Sequence, residues 1–237
     1  MIFDRASVVR ARIAARVLAH VATARTLGAI SLHAHQCAAV DRLRELLRSE
    51  RGALLADDAG LGKTYVAAAI MREAARPLLV IPASLRTMWR DALGVTGAGA
   101  TIVTYSALSR GAAPVGEFDL VVLDEAHHAR TPSTRRYALL ARLATRARVL
   151  LLTATPVHNR REELGALFAL FLGARAHTAS DAELARLIVR RERSEVAGAV
   201  AIPEAPAPGW VRVGDDATML GGLLALPPPL APASAGD

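Results

Sequence analysis

Five short apolar runs, separated by stretches with helical periodicity, constrain the fold of this chain more than any other feature of its sequence. None of the runs alternates polar with apolar residues. Strands of this kind are buried on both faces, and helices between them are typical of a parallel sheet covered on each side. The sequence therefore predicts a three-layer α/β fold. The predicted strands cover residues 53–56, 78–81, 101–104, 120–123 and 149–152, and the predicted helices cover residues 34–49, 64–75, 85–93, 133–145 and 162–171.

The chain divides into four regions around this pattern. Residues 1–30 carry regularly spaced arginines among apolar residues, which predicts an N-terminal amphipathic helix. Residues 31–175 form the predicted α/β lobe. A less regular segment follows over residues 176–226, with a helix predicted over residues 181–195. The Pro- and Ala-rich residues 227–237 are predicted to be a disordered tail.

Composition excludes several classes of protein. Of the 237 residues, 52% are hydrophobic and 22% are charged, which is too apolar for an intrinsically disordered chain. The single cysteine, Cys37, excludes an intrachain disulfide and a Cys-based zinc site. No apolar run reaches the roughly 18–20 residues that a membrane-spanning helix needs, so we expect a soluble protein with no membrane partner.

Arginine supplies nearly all of the positive charge. Only Lys63 among the 29 basic residues is a lysine, and the excess over 22 acidic residues gives a net charge of +7. An Arg- and Ala-rich chain with few Lys and Asn residues is typical of GC-rich coding, which favours a bacterial source. The single cysteine is typical of a reducing compartment, and we expect a cytoplasmic, nucleoid-associated protein. The one lysine indicates a site that needs a compact ammonium group.

A glycine-rich loop at residues 57–64 follows a predicted strand and opens a predicted helix. Its glycines allow the backbone to turn N–H groups around phosphate oxygens, and the helix adds its N-terminal dipole. The strict pattern G-x-x-x-x-G-K-[ST] is not met, because Asp57 takes the place of the first glycine. A glycine-rich turn that caps a helix is therefore the alternative. The predicted nucleotide-binding residues of the loop are Gly60, Leu61, Gly62, Lys63 and Thr64.

Two adjacent acids end the strand predicted over residues 120–123. Because the carboxyl ends of parallel strands share one edge of a sheet, we expect Asp124 and Glu125 to lie beside the glycine-rich loop. One carboxylate can hold Mg²⁺ while the next orients or deprotonates the attacking water. For His127, in the sequence DEAHH, we expect a coupling role and not metal ligation, because adjacent histidines do not share a face well.

Several ordered segments extend this pattern along the chain. They read LADDAGLGKT, VIPASL, TIVTYSAL, VVLDEAHHARTPSTRRY and LLLTATPVHN, and LHAHQCAAV precedes them. They resemble motifs I, Ia, Ib, II and III and the upstream glutamine motif of the Swi/Snf-related ATPases of helicase superfamily two, a group with a DEAH box. The match covers roughly residues 32–203, the N-terminal RecA-like lobe of that family. The resemblance implies DNA-stimulated ATP hydrolysis that drives translocation along double-stranded DNA, with ATP and Mg²⁺ as cofactors.

The resemblance assigns roles in the nucleotide site by position. It implies that Lys63, Asp124 and Glu125 are the catalytic residues. Thr64 and Asp124 would hold Mg²⁺, and Gln36, the only glutamine of the chain, would contact adenine.

Further residues would couple the nucleotide to nucleic acid. The resemblance implies that His127, Thr153 and Thr155 link the nucleotide state to the nucleic-acid groove. The residues that would line the DNA backbone are Ser84, Thr104 and Tyr105. These last three could equally be ordinary strand-end and turn residues. For Trp89, in the helix after motif Ia, we expect packing into the core.

The family's second RecA-like lobe has no counterpart in this sequence. The residues after Pro203 are too few for another α/β domain, although that lobe supplies the arginines that reach the γ-phosphate. An arginine of this kind is worth about 10³–10⁵ in rate, so we expect this chain to bind MgATP and hydrolyse it slowly. Arg190 or Arg191 could replace it only by folding back across the site. The second lobe would come from another chain or through self-association.

Two other functions remain open at this point. The chain could be a catalytically incompetent module that binds a nucleotide or a protein partner. It could also be a lobe of the RNA-helicase DEAH type, although ASLRTMWRDAL and TATPVHNRREEL resemble the Swi/Snf pattern more closely.

Overall fold

The computed structural model describes residues 26–153 and 161–196. Thr155, the Pro- and Ala-rich tail and most of the amphipathic helix predicted within residues 1–30 lie outside the described residues.

In the described part of the chain, six parallel strands form the central sheet. A two-stranded antiparallel pair, β1 (Thr26–Leu27) and β2 (Ile30–Ser31), precedes it. The spatial order of the central strands is β5-β4-β6-β7-β3-β8. Their carboxyl ends therefore lie along one edge. The central strands are β3 (Gly52–Leu55), β4 (Pro77–Ile81), β5 (Thr101–Thr104), β6 (Leu120–Leu123), β7 (Arg148–Leu152) and β8 (Ile188–Val189).

Helices flank the sheet and alternate with its strands. In chain order they are α1 (Ala34–Ser49), α2 (Lys63–Met71), α3 (Arg86–Thr96), α4 (Tyr105–Ser109), α5 (Arg135–Ala144), α6 (Arg161–Leu172), α7 (Arg175–Thr178), α8 (Asp181–Ala185) and α9 (Arg193–Val196). Two 3₁₀ turns lie at Ala83–Leu85 and Ala126–Ala129. No helix among the described residues is long and apolar enough to cross a membrane.

Burial along the strands confirms the predicted three layers. Every residue of β3, β4 and β6 is buried, although successive side chains of a strand point to opposite faces. Both faces of the sheet are therefore covered. The largest fully buried side chains include Trp89 of α3 and Phe168 of α6, and Trp89 thus has the core position that we expected.

The helix predicted over residues 181–195 is wrong. The chain forms the short helix α8, then the strand β8, and then the single turn α9. Ile188 and Val189 pair with Leu54 and Leu55 of β3, because two β-branched apolar residues can complete the edge of the sheet. The sheet thus extends past residue 175, the boundary that the sequence predicts for the lobe.

Candidate functional site

The glycine-rich loop joins the buried strand β3 to helix α2. Gly60 and Gly62 have φ values of 87° and 81°, in the left-handed region that favours glycine. A Cβ on Gly62 would lie 2.2 Å from Gln36 Nε2, so the close approach of α1 also requires glycine. Helix α2 begins after Gly62 without a side-chain cap and without an acid in its first turn. Its N-terminus therefore suits an anion from outside the chain, as phosphate binding needs.

Lys63 lies inside the loop, with its ammonium group half-buried. Lys63 Nζ donates hydrogen bonds to the carbonyl oxygens of Asp57, at 2.5 Å, and Asp58, at 3.1 Å. Burial lowers the pKa of Lys63, and nearby carboxylates oppose that shift. Those carboxylates belong to Asp57, Glu125, Asp124 and Asp58. The structure thus brings the lysine of the loop and the two acids after β6 within electrostatic reach of one another.

Asp124 follows β6 and accepts three hydrogen bonds from neighbouring groups. The indole Nε1 of Trp89 donates to Asp124 Oδ2 at 2.7 Å, and the main-chain N–H of Glu125 donates to Oδ1 at 3.0 Å. The hydroxyl of Tyr105 donates to the Asp124 carbonyl oxygen at 2.9 Å. Burial raises the pKa of Asp124, while the Trp89 hydrogen bond lowers it. The hydrogen bonds from Trp89 and Glu125 therefore fix the orientation of the Asp124 carboxylate. Burial has a larger effect on its pKa than the Trp89 hydrogen bond has.

The contact from Trp89 is one that sequence reasoning missed. Its helix α3 follows β4, and β4 is the neighbour of β6 in the sheet. A tryptophan beside the strand that delivers Asp124 can reach the acid, but only the order of strands reveals this.

Glu125 adopts an unusual backbone conformation. Its φ of 48° and ψ of 55° lie in the left-handed region, which is uncommon for a residue other than glycine. Strained backbone of this kind clusters at functional sites. The side chain is 31% exposed, and Glu125 Oε2 lies 3.3 Å from His127 Nδ1. A partly exposed carboxylate paired with an imidazole is suited to accept a proton from water.

The two histidines after Glu125 stack loosely. The ring centroids of His127 and His128 lie 4.4 Å apart, and the His128 ring lies 5.1 Å from that of Tyr105. Among the described residues, no three or more His, Cys, Asp or Glu side chains form a group able to hold a metal ion. A Mg²⁺ ion would therefore depend on Thr64, Asp124 and oxygens of the nucleotide, which is the usual way in which proteins bind it. The coupling role of His127 stays a prediction.

Gln36 connects helix α1 to the loop. Its side chain is buried, its Nε2 donates to the Leu61 carbonyl oxygen at 3.2 Å, and its Oε1 accepts from the main-chain N–H of His33 at 2.9 Å. The Nε2 of His35 lies 3.2 Å from the same carbonyl. In this structure Gln36 thus supports the loop, and its contact to adenine stays a prediction.

The residues assigned to coupling and to DNA fall into two groups. Thr153 directly follows β7, and its side chain is buried. Its N–H donates to the Leu55 carbonyl of β3 at 3.1 Å, which places it next to the glycine-rich loop. Ser84 is exposed in the 3₁₀ turn after β4. Thr104 and Tyr105 are each 4% exposed, and the Thr104 hydroxyl caps α4. The Tyr105 hydroxyl donates to the Asp124 carbonyl, and the contact of these residues with DNA stays a prediction.

Comparisons with known proteins agree with this geometry. Residues 95–182 match the SNF2-related domain. The chain is 31% identical over 172 residues to the "Uncharacterized ATP-dependent helicase YqhH" of Bacillus subtilis. It is 32% identical over 177 residues to the "DNA excision repair protein ERCC-6-like" of Danio rerio. By these matches the chain is similar to the N-terminal lobe of the Swi/Snf-related ATPases of helicase superfamily two. The chain covers 30% and 12% of the lengths of those two relatives, which match 60% and 58% of this chain.

Solved structures confirm the α/β fold of this chain. One is titled "Sulfolobus solfataricus SWI2/SNF2 ATPase core in complex with dsDNA" and superimposes with a TM-score of 0.60 at 20% identity. The match covers 73% of this chain and 47% of that one. A second structure is titled "Sulfolobus solfataricus SWI2/SNF2 ATPase core domain" and superimposes with a TM-score of 0.56 at 22% identity. That match covers 72% of this chain and 45% of the other one.

Proposed function

We propose that this lobe binds MgATP at the carboxyl edge of its sheet and is the ATP-binding half of a DNA-dependent ATPase that moves along double-stranded DNA. The observation that carries the proposal is that the loop after β3 and the acids after β6, about sixty residues apart in sequence, lie at the same carboxyl edge of the parallel sheet, with Lys63 within electrostatic reach of both acids. The match to the SNF2-related domain supports the same interpretation, because ATPases of this kind use a nucleotide and Mg²⁺.

Each residue of the site has a role in this proposal. The N–H groups at the start of α2 and the Lys63 ammonium bind the β- and γ-phosphates. Thr64 and Asp124 hold Mg²⁺, and Trp89 keeps the Asp124 carboxylate in place. Glu125 accepts the proton of the attacking water, and its pairing with His127 links that step to the rest of the site.

Rapid hydrolysis requires a second lobe. In related phosphoryl-transfer enzymes an arginine that reaches the γ-phosphate contributes about 10³–10⁵ in rate. The guanidinium of Arg193 donates to the Ala59 carbonyl of the glycine-rich loop, and that of Arg191 donates to the His35 carbonyl at the start of α1. We therefore assign such an arginine to a second RecA-like lobe, outside the part of the chain that the structure describes.

Double-stranded DNA is the proposed polymer. The Sulfolobus neighbour was solved with dsDNA, and a further relative, 29% identical over 150 residues, is the "DNA annealing helicase and endonuclease ZRANB3" of Mus musculus. A net charge of +7 is compatible with contacts to phosphates. These names favour DNA over RNA for this lobe.

Nucleotide binding and turnover test the proposal. We expect Lys63→Ala to weaken MgATP binding by about 10- to 100-fold, because it removes a charged donor worth about 1.5–3 kcal/mol. Glu125→Gln is its matched control: it should retain MgATP binding and lose any hydrolysis. Calorimetry would measure the first effect, and phosphate release with and without duplex DNA would measure the second. A wild-type chain that does not bind MgATP would refute the proposed function.

A further inference from the structure

Strand β8 and the turn after it run along the glycine-rich loop. We call residues 188–193 the strap. The main-chain N–H of Ala56 donates to the Val189 carbonyl at 2.8 Å, and the N–H of Asp58 donates to the Arg191 carbonyl at 3.0 Å. The hydrogen bonds of the sheet therefore continue beyond β3 into the loop itself.

Arg193 contacts the loop at two consecutive residues. Its main-chain N–H donates to Asp58 Oδ2 at 3.0 Å, and its Nε donates to the Ala59 carbonyl at 2.8 Å. A Cβ on Gly60 would lie 3.0 Å from Arg193 Nη2. The guanidinium thus occupies space that a side chain at Gly60 would take.

Arg191 connects the strap to the buried end of the loop. Its partly buried guanidinium donates a hydrogen bond to the His35 carbonyl, at the start of α1. Burial raises the pKa of Asp57, whose side chain is fully buried, and the positive charges of Arg191 and Lys63 oppose this shift. Asp57 therefore lies between a cation of the strap and the cation that is suited to phosphate.

The glycine-rich loop is hydrogen bonded to helix α1 on one side and to the strap on the other, and α1 and the strap also contact each other. Helix α1 holds Leu61 through Gln36 and His35, and the strap holds Asp58 and Ala59. The contact from Arg191 to His35 closes the ring. A change in the position of the strap must therefore change the shape of the loop.

We propose that the strap is a positioning element of the nucleotide site, acting through Arg191 and Arg193, and that it couples nucleotide occupancy to the chain that continues after residue 196. This inference rests on the proposed nucleotide binding. A phosphate that takes the Lys63 ammonium removes the partner of the Asp57 and Asp58 carbonyls, and the strap contacts these same two residues. Coupling of this kind is reciprocal, so strap contacts strengthen nucleotide binding as nucleotide stabilises the strap.

Nucleotide affinity of the full chain is the first test. Arg193→Ala removes a hydrogen bond to the loop, and Arg191→Met removes the guanidinium while keeping an apolar stem. We expect each to weaken MgADP binding about five- to fiftyfold, which is within the range typical of coupling between two sites. Arg190→Ala is the matched control, because Arg190 is exposed and its guanidinium bonds only to Glu192 among the described residues. The control should bind MgADP as the wild type does.

Hydrogen exchange supplies a readout that a merely structural role would not move. In the wild type, MgADP should slow amide exchange in residues 187–196, and it should not do so in Lys63→Ala. If Arg191→Met fails to fold, the MgADP affinity of Arg193→Ala is by itself the test, because Arg193 is exposed and its replacement leaves the core intact. Equal MgADP affinity in Arg193→Ala and Arg190→Ala, or exchange that MgADP leaves unchanged, would overturn the inference. A wild-type chain that binds no MgADP would overturn the proposed function first, and the inference with it.

Discussion

Replacing Trp89 by phenylalanine tests how the site controls Asp124. The substitution keeps an aromatic ring in a fully buried position and removes the N–H that lies 2.7 Å from Asp124 Oδ2. Burial already raises the pKa of this carboxyl, and the Trp89 hydrogen bond opposes that effect. Without the indole, the pKa of Asp124 must rise further, and the protonated carboxyl no longer binds Mg²⁺.

The size of the effect follows from the hydrogen bond. A hydrogen bond to a charged group contributes about 1.5–3 kcal/mol, and a free-energy difference of about 1.36 kcal/mol shifts a pKa by one unit. The midpoint of Mg²⁺-dependent MgADP binding should therefore move upward by about one to two pH units in Trp89→Phe. Because the pKa of folded Asp124 lies above its unfolded value, its contribution to stability is present at acid pH and is lost as the pH rises through the folded pKa. The variant should thus lose more stability, relative to wild type, at pH 7 than at pH 4.

The assay compares MgADP affinity with and without EDTA across this pH range. Tyr105→Phe is the control, because it removes a hydrogen bond to the main-chain carbonyl of Asp124 and leaves the carboxylate partners in place. Its pH midpoint should stay with that of the wild type. If Trp89→Phe also keeps the wild-type midpoint, or if its loss of stability does not depend on pH, then the indole does not control the ionisation of Asp124.

Two further predictions concern backbone conformation. Glu125→Gly should be more stable than Glu125→Ala by about 1 kcal/mol in urea denaturation, because the φ of 48° disfavours a residue with a Cβ; the opposite order would contradict strain at Glu125. Gly62→Ala should weaken MgADP binding and lower stability by more than 1 kcal/mol, because its φ of 81° is strained for alanine and the new Cβ would meet the Gln36 amide, 2.2 Å away. Wild-type MgADP affinity and wild-type stability in Gly62→Ala would contradict the need for glycine at position 62.

Much of this architecture could be predicted from local sequence patterns. The predicted strand over residues 101–104 agrees with β5, the one over residues 120–123 agrees with β6, and α1 has the predicted bounds. Apolar runs of strand length and periodic helices are local signals, because burial acts on each segment through its own side chains. The glycine-rich loop and the Asp-Glu pair were visible for the same reason, since each motif is a few consecutive residues.

The features that local sequence patterns did not predict involve partners far apart in sequence. The segment of residues 181–195 has helical periodicity, but β8 forms there because β3 offers an open edge. Gln36 and Trp89 were expected to contact adenine and the core, and the structure adds their hydrogen bonds to Leu61 and Asp124. None of these pairings can be deduced from spacing along the chain.

The sequence by itself determined the type of most elements, the glycine-rich loop and the acids that follow β6. The tertiary structure alone decided the order β5-β4-β6-β7-β3-β8, the support of Asp124 by Trp89, and the contacts of Arg191 with α1 and of Arg193 with the loop. The physical reason is the range of the interactions. Periodicity and turn chemistry act between neighbours in sequence, whereas strand order and buried hydrogen bonds depend on which distant segments pack together in the core.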